Sequence, residues 1–395
     1  MSARARQLAF YCLAVACMAA AAGGYDSVMN NYLSSAYGIS EVVRGRLEFP
    51  RELPGLLVVA MTGLLCMLPL THVGALAAAV FCAGLVGMAV FSGHFGATVA
   101  MMVLASAGQH LMMPMADSLT VALAKPGQLG RLLGRVGAVA TAGSIAGAGA
   151  IYWLLDRENP QFQAVFQAMA VVAAAAAGLY VFMRMPHVHQ RRERLVFRRK
   201  FRLYYLLELL NGARKQIFLT FGPWVLIQVY GRPANTIAGL LVIASVLGLA
   251  FKPAVGRAID RFGERAVMTA EGISIALVCI GYGYALPIAG GDPARALNVA
   301  CACYILDNLL FTMGTSRVVY MSRLADSPSE ITGTLSMGVS VNHLASMTIP
   351  ILAGTIWALL GYERLFLAAA GLGLVIAAVS RWVPAPAAWA APRQD

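Results

Sequence analysis

The chain has 395 residues, of which 59% are hydrophobic and 12% are charged, and its mean hydropathy is +0.71. Soluble globular domains are about 45–50% apolar and about 25% charged, so this composition excludes a soluble domain and indicates a protein of the lipid bilayer. The formal net charge of +12 is attributed to sorting of Lys and Arg to the cytoplasmic side and to anionic lipid headgroups. Nucleic-acid binding is not expected.

The hydropathy pattern predicts membrane-spanning helices, each of which needs about 20 mostly apolar residues. The predicted spans are 8–33, 43–68, 73–93, 97–123, 134–154 and 162–184 in the first half, and 203–230, 236–254, 267–289, 297–321, 333–360 and 363–383 in the second. The first apolar run is too long for the core of a cleavable signal peptide, and it is interpreted as span one.

One long polar stretch, the basic tract 185–202, separates the two sets of six spans. We therefore expect domains at 1–184 and 203–395, joined by a cytoplasmic linker. An even number of spans places both termini on one side. Placing them in the cytoplasm puts about 20 of the 30 Lys and Arg residues on cytoplasmic ends and loops, as the positive-inside rule requires. The expected location is the cell membrane, which is the inner membrane if the source is bacterial.

The stretch between spans eight and nine carries a charged glycine motif, G-x-x-x-D-R-x-G-x-R, formed by Gly256, Asp260, Arg261, Gly263 and Arg265. With the 6+6 spans and the basic linker, it resembles the major facilitator superfamily. The resemblance implies an all-α integral membrane fold of two pseudo-symmetric six-helix bundles. It also implies a cytoplasmic latch in which Asp260 and Arg261 pair with neighbouring helix ends, while Gly256 and Gly263 allow close approach and a turn.

Three features depart from the family pattern. The loop at 67–73 lacks the charged latch that the family usually has between spans two and three, and Leu104 stands where many proton-coupled members have Arg. In span five, Gly134, Gly143 and Gly147 match the glycine spacing of the antiporter signature but not its other positions. The alternative interpretation is that these glycines permit close helix packing.

Span two has charges at a helical spacing that places them on one face: Arg44, Glu48, Arg51 and Glu52. A charge near the centre of a spanning helix costs about 2.5–3.5 kcal/mol, so such residues normally face a cavity or a partner. We interpret these four residues as a ladder of ion pairs or as gating residues. Direct contact with substrate is the alternative.

The family's fold lines its central cavity with spans one, four, seven and ten, and polar residues cluster on these spans. The substrate-binding candidates are Arg214, Asn30, Gln109, Asn211, Asp307 and Asn308. Arg214 is preferred because its fixed fork of donors suits a carboxylate or phosphate. The alternative for Arg214 is an ion pair with Glu208 or Asp26.

Proton coupling is assigned to carboxylates because poor solvation favours their protonated form. The candidates are Asp26, Asp307 and Glu48. Ion-pair or gating roles are expected for Glu208, Lys215, Asp117 and Arg317, in addition to the four charges of span two. His110 and His343 are interpreted as hydrogen-bonded packing residues.

No metal site, cofactor or enzymatic activity is expected, because the sequence lacks the HExxH, GxSxG and GxxxxGK[ST] motifs. The sequence predicts a monomeric secondary transporter of a small polar solute, with an anion or zwitterion preferred, protons as partners and alternating access. A proton-driven exporter of drugs or metabolites is one alternative, supported by the half-match in span five. A receptor or assembly factor that transports nothing is the other, and the missing first latch favours it.

Overall fold

The computed structural model describes residues 3–65, 67–124, 129–156, 158–184, 197–326 and 328–385. Within these ranges the chain forms helices and no strands, which confirms the predicted all-α fold. Residues 185–196, most of the predicted linker, lie outside the described ranges.

The first half contains seven helices in its described part. They are α1 (Ala3–Tyr37), α2 (Glu41–Leu56), α3 (Val58–Leu64), α4 (Leu70–Val90), α5 (Phe95–Leu123), α6 (Leu129–Leu154) and α7 (Phe162–Phe182). The predicted second span is divided between α2 and α3. α2 includes Pro50 and Pro54, and each proline removes a backbone donor from the helix.

The second half begins with a 3₁₀ turn at Arg199–Phe201. Its helices are α8 (Arg202–Gln228), α9 (Ala234–Gly283), α10 (Ala285–Ile288), α11 (Pro293–Leu310), α12 (Thr315–Leu324), α13 (Pro328–Leu360) and α14 (Tyr362–Ser380). A 3₁₀ segment at Phe311–Gly314 separates α11 from α12, so the predicted tenth span is interrupted four residues after Asp307.

The glycine motif lies on α9 and not in an extended turn. Gly263 has φ 81° and ψ 161° and divides α9 into two helices, while Gly256, Asp260 and Arg261 lie in the helix before it. Only glycine adopts such a conformation at no steric cost, so the turn expected at Gly263 is present. The close approach expected at Gly256 is wrong, because no described atom lies within 4 Å of a Cβ added there.

Nine helices in the described part of the chain are long and apolar enough to cross a membrane. α9 is one of them, and on either side of Gly263 it contains the predicted spans eight and nine. The predicted second span falls outside this set because it is divided between the 16-residue α2 and the 7-residue α3, and the predicted seventh span, the charged α8, is outside it as well. The number of twelve spans therefore stays a prediction.

The chain forms two compact units. The first contains α1, α2 from Pro50, α3 to α7 and Arg232–Val242; the second contains Ser40–Phe49, α8, α9 from Ile243, and α10 to α14. In the first unit, α6 packs against α1 where a Cβ at Gly143 or Gly147 would collide with the carbonyl groups of Ala16 and Ala20. These two glycines therefore serve helix packing, while Gly134 faces open space.

In the second unit, glycine also controls how closely helices pack. A Cβ at Gly45 in α2 would collide with the carbonyl of Pro350 in α13, and one at Gly354 would lie 2.5 Å from the carbonyl oxygen of Glu41. The start of α2 is therefore pressed against α13 through small residues. This contact holds Glu48 of α2 beside Gln216 of α8.

Candidate functional site

A buried ion pair joins two of the predicted substrate residues in the second unit. Arg214 Nη2 of α8 lies 2.7 Å from Asp307 Oδ1 of α11, and the side chains are 2% and 1% exposed. The ring of Phe311 lies 5.3 Å from the Arg214 guanidinium carbon, close enough for a cation–π contact. The partner of Arg214 is therefore Asp307 and not Glu208, which pairs elsewhere.

The hydrogen-bonding capacity of this pair is incompletely used. Among the described residues, Arg214 Nε and both carboxylate oxygens of Asp307 have no hydrogen-bond partner, and the 2.7 Å ion-pair contact joins Nη2 to Oδ1. Buried polar groups are almost always hydrogen-bonded. The pair thus presents one unused donor and two unused acceptors inside the protein.

A second charge cluster in the same unit is centred on Arg317 of α12. Its Nε donates to Glu208 Oε1 of α8 at 3.1 Å, and its Nη1 donates to Glu271 of α9 at 2.8 Å and 3.0 Å. The predicted ion-pair role of Glu208 and Arg317 is therefore visible as contacts. Lys215 points away from the neighbouring Arg214 and donates to Asn342 Oδ1 of α13 at 2.8 Å.

The charged face of α2 is held by pairs within each unit. In the second unit, Arg44 Nη1 lies 2.5 Å from Glu48 Oε1, as the i,i+4 spacing predicts. Glu48 Oε2 accepts from Gln216 Nε2 at 2.8 Å. In the first unit, Arg51 Nη2 lies 2.6 Å from Glu52 Oε1. Glu48 is completely buried.

The remaining candidates of the first unit are spread over α1 and α5. Asn30 is buried, Gln109 is half-buried, and Asp26 and Asp117 are exposed. Beside Gln109, the His110 ring bonds to Ser106 on the preceding turn, and its Nε2 lies 3.9 Å from Glu52 Oε2. His110 is thus packed against a charged group and is not isolated.

In the second unit, Asn211 is buried and Asn308 is half-buried. Asn308 Nδ2 donates to the Tyr304 carbonyl one turn earlier on α11. This bond is local to one helix, whereas the contacts of Arg214 and Arg317 join different helices.

The residues around the expected latch differ in burial and in their ion pairs. Asp260 and Arg261 are exposed, and the described part of the chain contains no ion pair for either. Glu264, directly after Gly263, is 1% exposed and its Oε2 lies 3.5 Å from Arg323 Nη2 of α12. Within the described residues, neither Glu264 oxygen has a hydrogen-bond partner. In this structure the buried charge of the motif region is therefore Glu264.

An ionic cluster connects the start of α8 with the start of α13. Glu330 accepts from Lys200 and Arg198 at 2.7 Å each and from the Asp326 backbone N–H at 2.7 Å. The hydrogen bond from Lys200, followed by that from the Asp326 backbone, lowers the pKa of Glu330 below its ordinary value of 4.5. Although burial opposes it, the bonds to Asp326 and Glu330 raise the pKa of Lys200 above 10.5.

Comparison of the sequence with family models decides the family. The model described as Major Facilitator Superfamily matches residues 11–341, which is most of the chain. The chain belongs to the Major Facilitator Superfamily. Comparison with curated proteins finds no match.

Solved structures of Major Facilitator Superfamily transporters share the fold. A mutant of the nucleoside transporter NupG has a TM-score of 0.79 at 13% identity, over 95% of this chain and 99% of that one. The inward-open xylose transporter XylE from E. coli gives 0.73 at 16%, over 94% and 96%. The POT family transporter PepTSo gives 0.77 at 13%, over 99% of each chain. This superfamily member is accordingly a multi-pass membrane protein that shares the fold of these transporters.

Sequence reasoning missed two buried acids of this superfamily member, Glu271 and Glu264. Glu271 falls inside predicted span nine, so the rule that intramembrane charges need partners was a signal that could have found it. Glu264 occupies an unspecified position of the motif, and no sequence signal distinguished it from its exposed neighbours. Its burial accompanies the packing of α12, which places Arg323 Nη2 3.5 Å from Glu264 Oε2.

Proposed function

We propose that this protein is a proton-coupled transporter of a small polar organic solute, working as a monomer by alternating access with both termini in the cytoplasm. The solute class that fits best is a zwitterion or a carboxylate anion. The observation that carries the proposal is the buried Arg214–Asp307 pair, whose Nε donor and two carboxylate acceptors are unused. We propose no enzymatic activity.

The unused atoms define what a solute must offer. Arg214 Nε needs an acceptor, and Arg–carboxylate contacts are strong because both groups are charged and planar. The Asp307 oxygens need donors, which an ammonium or a proton would provide. A zwitterion satisfies both, since its carboxylate replaces Asp307 beside Arg214 while its ammonium meets Asp307.

For a carboxylate anion, which brings no ammonium to Asp307, the same pair also provides proton coupling. If Asp307 binds a proton, Arg214 loses its countercharge and becomes a stronger site for a solute carboxylate. A solute carboxylate on Arg214 in turn favours protonation of Asp307. Each ligand thus promotes binding of the other, and such coupling is reciprocal by thermodynamic linkage. Glu48 is the weaker carrier because Arg44 and Gln216 already hold its charged form.

A neutral polyhydroxy solute is the second candidate. Transporters of nucleosides and of xylose share the fold, and hydroxyl groups both donate and accept hydrogen bonds. A sugar or nucleoside could therefore satisfy the same three atoms without a net charge.

The test is a thermal-shift screen of the purified protein against amino acids, dipeptides, organic anions, nucleosides, sugars and lipophilic cations. A ligand that binds the folded state raises the unfolding temperature. We expect zwitterions or anions to stabilise the wild type but not the Arg214→Gln/Asp307→Asn double variant. Thr355→Ala serves as the control, because Thr355 is exposed on α13 and its hydroxyl donates to the Ile351 carbonyl one turn earlier, and this variant should keep the shift.

Other outcomes of the screen select other functions. Stabilisation by lipophilic cations alone would favour a proton-driven exporter, which moves protons and solute in opposite directions across reconstituted vesicles. Binding of a solute without any flux in those vesicles would favour a receptor. Stabilisation by nucleosides or sugars alone would select the neutral solute.

A further inference from the structure

Two charged residues of α8 are connected through a single amide from another helix. Glu208 and Lys215 are seven residues apart, so they share a face of α8 but lie about 10 Å apart along it, too far for a direct ion pair. Asn342 of α13 fills the gap. Its Oδ1 accepts from Lys215 Nζ at 2.8 Å, and its Nδ2 lies 3.3 Å from Glu208 Oε2 and 3.4 Å from the Glu208 carbonyl oxygen.

Gly212 makes room for this amide between the two charges. A Cβ at Gly212 would lie 2.7 Å from the Asn342 carbonyl oxygen and 3.1 Å from its Cα and Cγ. Those separations are shorter than van der Waals contact, so only glycine lets α13 approach α8 here. The amide is therefore held in a notch in which one end faces Lys215 and the other faces Glu208.

On its far side, Glu208 shares one Arg317 with a second acid. Arg317 Nη1 bonds to both oxygens of Glu271, whereas Arg317 Nε makes one bond to Glu208, at 3.1 Å. The Glu208 side chain is 14% exposed and that of Glu271 is 2% exposed. Glu208 is thus the more loosely held and more accessible of the two carboxylates.

The charges of these four side chains sum to zero when Lys215 is included. Glu208 and Glu271 carry two negative charges, Arg317 carries one positive charge, and Lys215 places a second positive charge one amide away from Glu208. A buried net charge is costly. When Lys215 moves away from Asn342, Glu208, Glu271 and Arg317 together hold one excess negative charge. Binding of one proton removes it.

We propose that Glu208 is a proton-binding carboxylate of the transport cycle and that Asn342 couples its protonation to the position of Lys215. This inference rests on the proton coupling proposed above and assigns it a further residue. When the Lys215–Asn342 bond breaks, the amide turns so that Oδ1 faces Glu208. A proton from solution then binds Glu208 Oε2, and its O–H donates to Asn342 Oδ1.

The groups facing Glu208 are consistent with one exchangeable proton. Tyr204 precedes it by one turn on α8, Arg317 faces it from α12, Asn342 with Lys215 faces it from α13, and Glu271 of α9 reaches it through Arg317. A solute carboxylate that attracts Lys215 would break the Lys215–Asn342 hydrogen bond. The same event would then bind solute and recruit a proton.

The test uses infrared spectroscopy of the purified protein in liposomes, recorded against pH with protons as the only ligand. A protonated carboxyl has its own C=O stretching band. We expect Lys215→Met to gain such a band near neutral pH relative to the wild type, because it removes the compensating charge. Lys215→Arg keeps the charge and should not gain it, and Lys215→Met/Glu208→Gln should lose it.

A second variant covers the case in which Lys215→Met does not fold. Lys215→Gln removes the same positive charge but keeps a polar side chain beside Asn342 and leaves the Asn342 amide in place, and it should gain the band as well. The matched control is Lys252→Gln, which removes the charge of an exposed lysine on α9 outside this cluster. If neither Lys215 variant gains the carboxyl band, or if the band persists after Glu208→Gln is added, the proposal is overturned.

The same measurement separates this inference from the proposed function. If the band of Lys215→Met is abolished by Asp307→Asn and not by Glu208→Gln, the carboxyl is Asp307 and the role of Glu208 is refuted. If the band maps to Glu208 but solute flux in vesicles carries no protons, the proposed coupling fails while the protonation of Glu208 stands.

Discussion

Gly212 of α8 lies against the backbone of Asn342 in α13, with only 2.7 Å between the position of an added Cβ and the Asn342 carbonyl oxygen. The obstacle is backbone, which cannot rotate away as a flexible side chain can. This one contact sets the distance between two helices and the placement of the amide that joins Glu208 to Lys215.

Gly212→Ala is therefore expected to destabilise the protein by about 1–3 kcal/mol, the usual cost of forcing extra volume into a packed interior. The measurement is thermal unfolding of the purified protein in detergent. Gly248→Ala in α9 is the matched control, because its nearest described atom is 3.9 Å from an added Cβ. The control should be neutral or stabilising, since alanine favours helix. If the two variants change the unfolding temperature equally, Gly212 is not in close contact with the Asn342 backbone.

The Arg214–Asp307 pair should respond asymmetrically to single and double substitution. Asp307→Asn leaves a buried guanidinium without its countercharge, and breaking a buried pair this way costs about 3–5 kcal/mol. Arg214→Met/Asp307→Leu removes both charges and should recover most of that loss, because well-packed apolar replacements are often neutral. The measurement is the unfolding temperature of each variant. A double variant no more stable than Asp307→Asn would show that the charge pair is not the cause.

The helical fold and the polar helices could be predicted from sequence, because composition and hydropathy report directly on burial in lipid. The i,i+4 pair Arg44–Glu48 could also be predicted, since both residues lie on one helix. Contacts between helices could not. Arg214 meets Asp307, and Arg317 meets Glu271, only because of helix packing distances that no local pattern encodes.

The motif after span eight illustrates the same limit. The turn predicted at Gly263 is present, since a positive φ is a local property of the backbone. Which acid becomes buried after the turn depends on how α12 packs beside it. That packing brings Arg323 to Glu264 and leaves Asp260 exposed, and residue spacing contains no information about it.

Asn235 caps the end of α6 in the first unit, and this contact gives a prediction that depends on the orientation of the amide. Its Nδ2 faces the carbonyl oxygens of Ile151, Tyr152 and Leu155 at 3.3, 3.0 and 2.9 Å. Asn235→Ala loses these bonds and should destabilise by about 1–3 kcal/mol, the cost of unsatisfied buried groups. Asn235→Asp places a carboxylate against three acceptors and should cost more. The measurement is the unfolding temperature of each variant. If Asn235→Asp unfolds at a higher temperature than Asn235→Ala, the orientation assigned to the Asn235 amide is wrong.

The Glu330 cluster makes stability depend on pH in the acid range. Hydrogen bonds from Lys200, the Asp326 backbone and Arg198 lower the pKa of Glu330 below 4.5, so the folded state binds its proton less readily than the unfolded state. The stabilisation is therefore present above about pH 4.5 and is lost as the pH falls through the lowered pKa of the folded state. Glu330→Gln lacks this group and should lose less stability than the wild type between neutral and acid pH. The measurement is the unfolding temperature of both proteins against pH, with Glu363→Gln as a control at a glutamate outside the cluster. Parallel curves for wild type and Glu330→Gln would mean that Glu330 is not held by Lys200 in solution.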